Sequence, residues 1–113
     1  MSIAVTSTFV EEGIMAFEWA GILNAENGNP IQAAKWPTKA VHVSGTLGVG
    51  GSVSIQGSND GSNWVILRDS LGVALTFTAV PGLRDIMENP QFIRAVVTAG
   101  DGTTNFKVRI IAS

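Results

Sequence analysis

His42 is the only histidine of the chain, and Asp60, Asp69, Asp85 and Asp101 are its only aspartates. Nucleophilic hydrolysis needs a Ser, a His and a carboxylate brought together, with the imidazole held in one tautomer. The spacing gives that chemistry no frame. Each Asp falls in a turn or at a helix start, where its carboxylate is expected to bond nearby backbone. His42 falls on the polar side of the alternating run Val41-His42-Val43-Ser44. With one His and no Cys, a zinc site lacks its ligands. Asn59, Asp60 and Asn63 offer hard oxygen ligands around Gly61, and Asp101 sits in a second Gly-flanked turn. They carry too little charge for tight calcium binding and lack the distal bidentate Glu of an EF-hand. Glu11-Glu12 is a turn doublet and Glu88 closes a helical fragment, so no two acids are set to share a glycosidase cleft. Gly48, Gly50 and Gly51 are followed by a strand and by no Lys, which is not a phosphate loop. The expectation is a protein that is not an enzyme and uses no cofactor and no metal.

Three tryptophans remain. An exposed indole stacks on a sugar or anchors a protein interface. Trp64 opens a strand and is expected in the core. Trp19 and Trp36 lie beside and within an irregular segment.

These residues must be carried by strands. Ile3, Val5, Ser7 and Phe9 alternate with Ala4, Thr6, Thr8 and Val10, and Met15, Phe17 and Trp19 alternate after the break at Glu11-Glu12-Gly13. Val41 and Val43 form a third strand. Val53 and Ile55 alternate with Ser52, Ser54 and Gln56, run into the turn block Ser58–Asn63, and return through Trp64–Leu67 as a hairpin. Leu75 and Phe77 follow. The final pair carries Ile93, Ala95 and Val97, then Phe106, Val108 and Ile110, around Ala99-Gly100-Asp101-Gly102. Period-two alternation means one face buried and one solvated. Short strands separated by turn signals predict a single antiparallel β-sandwich, jelly-roll-like, spanning 1–113. The expected core is Ile55, Trp64, Ile66, Phe77, Ile93, Val97, Phe106, Val108 and Ile110. One short helix is predicted after Pro81, because Leu83, Ile86 and Met87 share a helical face before Asn89-Pro90. A second short turn of helix fits Ile31 to Lys35. The stretch 21–39 contains Asn27-Gly28-Asn29-Pro30 and Trp36-Pro37, and its length suggests either a crossover loop or a contact arm.

At 113 residues this is one domain, and 45% hydrophobic content places it among folded chains. Only 14% of residues are charged and the formal net charge is −2, which does little to hold copies apart. No basic cluster marks a nucleic-acid partner, and no apolar run approaches the roughly 20 residues of a membrane span. The N-terminus lacks the basic and apolar regions of a signal peptide, so a product made in the cytoplasm is expected.

The runs Val41–Thr46, Gly51–Trp64, Ala74–Thr78 and Pro90–Arg94, closing with Gly100-Asp101-Gly102-Thr103-Thr104 and a last strand, resemble small head-associated structural proteins of tailed bacteriophages. The resemblance covers about residues 39–112, and is to proteins of the capsid decoration or cement type. It implies a virion protein that binds the outer surface of a shell of major capsid protein and stabilises that lattice, after synthesis in the host cytoplasm. It carries no catalytic residues. A dimer or trimer of the chain is expected, because closed symmetric assemblies dominate. The candidate partner contacts are Ile3, Val5 and Phe9 of the first strand, and Ile22, Ile31, Trp36 and Pro37 of the irregular segment. The alternative is a carbohydrate-binding module, or a phage surface domain attaching to bacterial glycans, with a Trp platform beside Asn59, Asp60 and Asn63. Discoidin-like sugar-binding domains carry similar turns.

Overall fold

The computed structural model describes residues 2–113. Its strands in chain order are β1 (Ser2–Ile3), β2 (Val5–Glu11), β3 (Ile14–Leu23) and β4 (Asn27–Gly28). Then come β5 (Ile31–Gln32), β6 (Lys39–Thr46), β7 (Ser52–Ser58) and β8 (Val65–Ile66). The chain ends with β9 (Thr76–Phe77), β10 (Gly82–Asp85), β11 (Phe92–Ala99) and β12 (Asn105–Ala112).

Two sheets result. One runs β10-β6-β12-β3-β2 and is antiparallel throughout. The other runs β1-β4-β11-β7-β8, with β5 also on β11 and β9 on β7. Its pairings are antiparallel except the two-residue parallel contact of β1 with β4. Alternation builds the core. Phe106, Val108, Ile110 and Ala112 of β12 are buried beside Val41 and Val43 of β6 and Phe17 and Trp19 of β3. Val53 and Ile55 of β7, and Ile93, Ala95 and Val97 of β11, join the same cluster from the other sheet. Trp19 is the largest of the fully buried side chains. Its indole Nε1 donates to the Asn29 carbonyl at 2.8 Å, and Gly28 gives it room. A Cβ on Gly28 would stand 2.5 Å from that nitrogen.

Several expectations are corrected. No helix forms at Pro81–Asn89. Residues 82–85 are β10, paired with β6 from Gly82↔Val43 to Asp85↔Ala40. Of the three residues on the supposed helical face only Ile86 is buried, while Leu83 and Met87 are 70% and 65% exposed. Two turns of helix are too short to stand alone, and the open edge of β6 supplies a non-local partner instead. Ile31–Lys35 likewise forms β5 and a turn, not a helix.

Ile66 leaves the predicted core, being 41% exposed, and Trp64 is half-buried. Register explains this. Gln56 pairs with Ile66 and with Arg94, so those three side chains share the outer face. The Arg94 guanidinium lies 4.1 Å from the centre of the Trp64 ring on that face. Leu67 takes the buried place. The other seven predicted core residues are buried.

The stretch 21–39 does not form a free arm in the folded chain. It completes β3, supplies β4 and β5 to the edge of β11, and is pinned by hydrogen bonds. Ala33 N–H donates to the Gln91 carbonyl at 3.1 Å, and Asn89 Nδ2 donates to the Ala34 carbonyl at 3.0 Å. The Lys39 ammonium is buried and donates to the Trp36 carbonyl at 2.7 Å and to Asn89 Oδ1 at 2.6 Å. Burial pushes its pKa below the usual lysine value.

Candidate functional site

His42 is exposed on the outer face of β6, in register between Leu83 and Arg109. Among the described residues no three His, Cys, Asp or Glu side chains cluster as a metal site would require. Among the described residues no buried side-chain nitrogen or oxygen lacks a hydrogen-bond partner. The turn carboxylates are occupied by their own loops and by neighbouring segments of the chain. Asp60 Oδ1 accepts the backbone N–H groups of Ser62 and Asn63, both at 2.8 Å, and Oδ2 accepts Asn63 Nδ2 at 2.7 Å. Asp101 accepts the Thr103 hydroxyl at 2.7 Å and the N–H groups of Thr103 and Val49. Asp69 takes Arg84 through Nε and Nη2 at 3.0 and 2.7 Å, together with the N–H groups of Leu71 and Val73.

Donors aimed at a carboxylate stabilise its ionised form. The backbone N–H groups of Asn63 and Ser62 hold Asp60 far below the usual carboxylate range. The Arg84 guanidinium lowers Asp69. The Thr103 hydroxyl leads the set that lowers Asp101 to about 2. Each folded pKa lies below the unfolded value of about 3.9. The contribution to stability is therefore fully present above about pH 4 and is lost as pH falls through the folded values. Acid unfolding is expected to set in below pH 4 and to steepen toward pH 2. Asp101→Asn should flatten the pH 4-to-2 limb of a melting-temperature profile while leaving the neutral region parallel to wild type. An unchanged acid limb would remove Asp101 from the account.

Among the described residues, two grooves bear on the candidate contacts. The larger, about 370 Å³, is lined by residues including Ser58, Asn59, Asn63, Glu88, Asn89 and Pro90. Its polar groups are largely engaged by the protein. Asn59 Oδ1 accepts Gln91 N–H at 2.9 Å, Glu88 accepts Arg68 N–H at 2.7 Å, and Asn89 is committed to Lys39 and Ala34. Trp64 has the Arg94 guanidinium stacked on it, and Trp19 is buried, so neither offers a fully open platform beside these asparagines.

The smaller groove, about 230 Å³, is lined by Phe9, Gly13, Ile14, Met15, Lys35 and Trp36. It forms where β2 and the start of β3 run past the cover of the second sheet. Val5, Ser7 and Phe9 pair with Trp19, Phe17 and Met15, so they continue the core-facing side of the sheet outward. Phe9 is nevertheless 67% exposed. Trp36 rests edge-on against Phe17, with ring centres 5.4 Å apart, and Lys35 Nζ lies 5.6 Å from its ring centre. Phe9 and Trp36, far apart in sequence, thus reach one apolar groove. Pro37 follows it and is exposed, and Ile3 and Val5 are half-buried against the core. Ile22 and Ile31 are corrected as surface contacts, because both are buried in the core cluster. A register shift in the β3–β12 pairing near Gly21 turns Ile22 inward, and Ile31 is the buried residue of the two-residue β5. Ile14 and Met15 were not among the candidates, although the Met15-Phe17-Trp19 alternation already placed Met15 on the core-facing side.

No protein-family model matches the chain, and no curated protein matches it in sequence. Solved structures do match in fold. The chain is similar to YomS, a protein derived from the SPBc2 prophage, with a TM-score of 0.67 over 93% of this chain and 98% of that one, at 10% identity. Peruvianin-I, a cysteine peptidase from Thevetia peruviana latex, aligns over 96% of this chain, which spans 60% of its length, at 14% identity and a TM-score of 0.49. The first likeness is one of fold; the second is too distant to carry an argument.

Proposed function

We propose that this chain is a virion structural protein of a tailed bacteriophage, a capsid decoration or cement protein. In this reading it is made in the host cytoplasm, seats on the outer surface of the shell, and binds major capsid protein. It is not an enzyme, and it takes neither nucleic acid nor membrane as partner. The observation that carries the reading is the apolar groove where exposed Phe9 and half-buried Met15, on the core-facing side of the first sheet, meet half-buried Trp36, on a chain whose turn carboxylates are engaged by its own backbone and side chains. An apolar groove of this kind marks an interaction surface.

The fold supports the reading in a second way. We take the two sheets as a jelly roll, which is a frequent capsid architecture. The orders β3-β12-β6-β10 and β5-β11-β7-β9 fit two nested Greek keys, because the chain changes sheet at each connection except β2–β3, β4–β5 and those within β7–β9. The likeness to a prophage-derived protein agrees with this origin.

The mechanism is linkage. A protein that binds only the assembled lattice stabilises it by mass action, and many copies bridging neighbouring subunits add through effective concentration. Purified chain mixed with undecorated shells of its own phage should co-sediment saturably, at a fixed number of copies per capsomer. Failure to co-sediment at micromolar concentration would contradict the reading. The glycan-binding alternative is less favoured, because the asparagine groove has spent most of its donors and acceptors on the protein.

A further inference from the structure

We infer that β2 is a self-pairing edge. Two copies of the chain join antiparallel through it, about a two-fold axis at Ser7, to make one continuous sheet. The inference rests on the geometry of β2 and stands apart from the capsid reading.

The outer edge of a sheet presents unpaired N–H and C=O groups that template another strand, and proteins that stay apart blunt such edges. Here the other edges are blunted. β1, β8 and β9 are two residues long. β10 has four residues and carries Arg84 and Asp85. β2 is different. It has seven residues, pairs only with β3, and is exposed at every position after Val5. From Val5 to Val10 it contains no Pro, no Gly and no charge, only residues that suit a strand. The one irregularity lies at its end, between Phe9 and Glu11.

The sequence of this edge is complementary to itself. An antiparallel two-fold through Ser7 sets Val5 opposite Phe9, Thr6 opposite Thr8, and Ser7 opposite its own copy. Aromatic against β-branched and Thr against Thr are favourable cross-strand pairs. Glu11 and Glu12 then fall outside the paired stretch, at opposite ends, so like charges do not meet. Moving the axis one residue to Thr8 would place Glu11 opposite Val5 and bury a carboxylate beside an apolar side chain. An axis at Thr6 would pair only Val5 to Ser7, so the Ser7 register joins the longest uncharged stretch of β2. The low net charge of −2 adds little long-range repulsion between copies.

This symmetry has a consequence for binding. A two-fold between antiparallel neighbours is normal to the sheet, so directly opposed side chains share a face. Both Phe9–Trp36 grooves then open on the same side of the joined sheet. The dimer presents two identical apolar seats to one surface, which raises avidity without any new contact.

The chain contains no cysteine, so a single introduced thiol reports the register cleanly. Across an antiparallel pair, opposed Cα atoms lie about 4.5–5.5 Å apart, inside the disulfide range. Ser7→Cys should cross-link to covalent dimer on mild oxidation at least about tenfold faster than Thr6→Cys or Thr8→Cys, whose own copies sit further apart. Sedimentation of the unmodified chain should give twice the 11.8 kDa chain mass. Ser7→Lys, which sets two ammonium groups side by side on the axis, should sediment as a folded monomer. A monomeric wild type, equal cross-linking at the three positions, or a Ser7→Lys variant that stays dimeric would each overturn the inference. Shell binding separates the two proposals. A monomer that still decorates shells sinks the pairing alone, and a dimer that ignores shells sinks the capsid reading alone.

Discussion

Truncating Trp19 to alanine is expected to destabilise the fold by about 3–5 kcal/mol, the scale of a large aromatic removed from a packed core. Three effects act together. The indole is fully buried, so its apolar area returns to no solvent-facing role and leaves a cavity. The Asn29 carbonyl loses the Nε1 donor at 2.8 Å, a bond that ties the indole to the turn before β5. Gly28, which has no side chain because the indole fills its space, cannot close the gap from the other side. The β4–β11 pairing next to it should loosen as well. The measurement is a urea midpoint with an unchanged slope, which reports stability and not a change in the denatured state. A loss under about 1 kcal/mol is typical of a surface change. It would mean that Trp19 is not the centre of this core.

The second large effect concerns attachment. Replacing Phe9 and Trp36 together by serine should weaken binding to shells by roughly 2–4 kcal/mol, about 30- to 1,000-fold, the scale of lost interface anchors. Phe9 is mostly exposed and takes little part in the core, so Phe9→Ser should leave the melting temperature nearly unchanged. Trp36 packs on Phe17 and contributes to the fold. Trp36→Phe keeps that contact and serves as the folding control. If the double variant is folded and decorates shells at full occupancy, the groove is not the contact surface.

Much of the fold was legible because its strands alternate strictly. Phe106, Val108 and Ile110 announce their buried face in sequence, as do Ile93 and Val97, and the turn block at Ser58–Asn63 fixes the hairpin between β7 and β8. What failed did so through pairing that lies far away along the chain. Leu83, Ile86 and Met87 carry a helical spacing, yet β6 needed an edge partner and drew the segment into a strand. Ile66 alternates correctly within its own run, but its register against Gln56 turns it outward. Period-two patterns say which residues share a face; they do not say which face meets the core when the strand is two residues long.

The candidate surface was half legible for the same reason. Phe9 and Trp36 were named one by one as contacts, from an apolar strand and an irregular segment. That they meet at one groove depends on β2 extending beyond the second sheet, and no local pattern encodes where a neighbouring sheet stops. Ile22 and Ile31 had the same apolar character and went inside, because β3 and β5 pair with β12 and β11 and carry them into the core.

The central claim is that this chain is a stoichiometric part of a virus particle. It is tested most directly by quantifying the chain in purified particles of the phage whose genome encodes it, against the major shell subunit. The account predicts hundreds of copies per particle, in a fixed simple ratio to that subunit, released together with a loss of shell stability. Particles that contain no more than trace amounts of the chain, while infected cells contain it in quantity, would contradict the account.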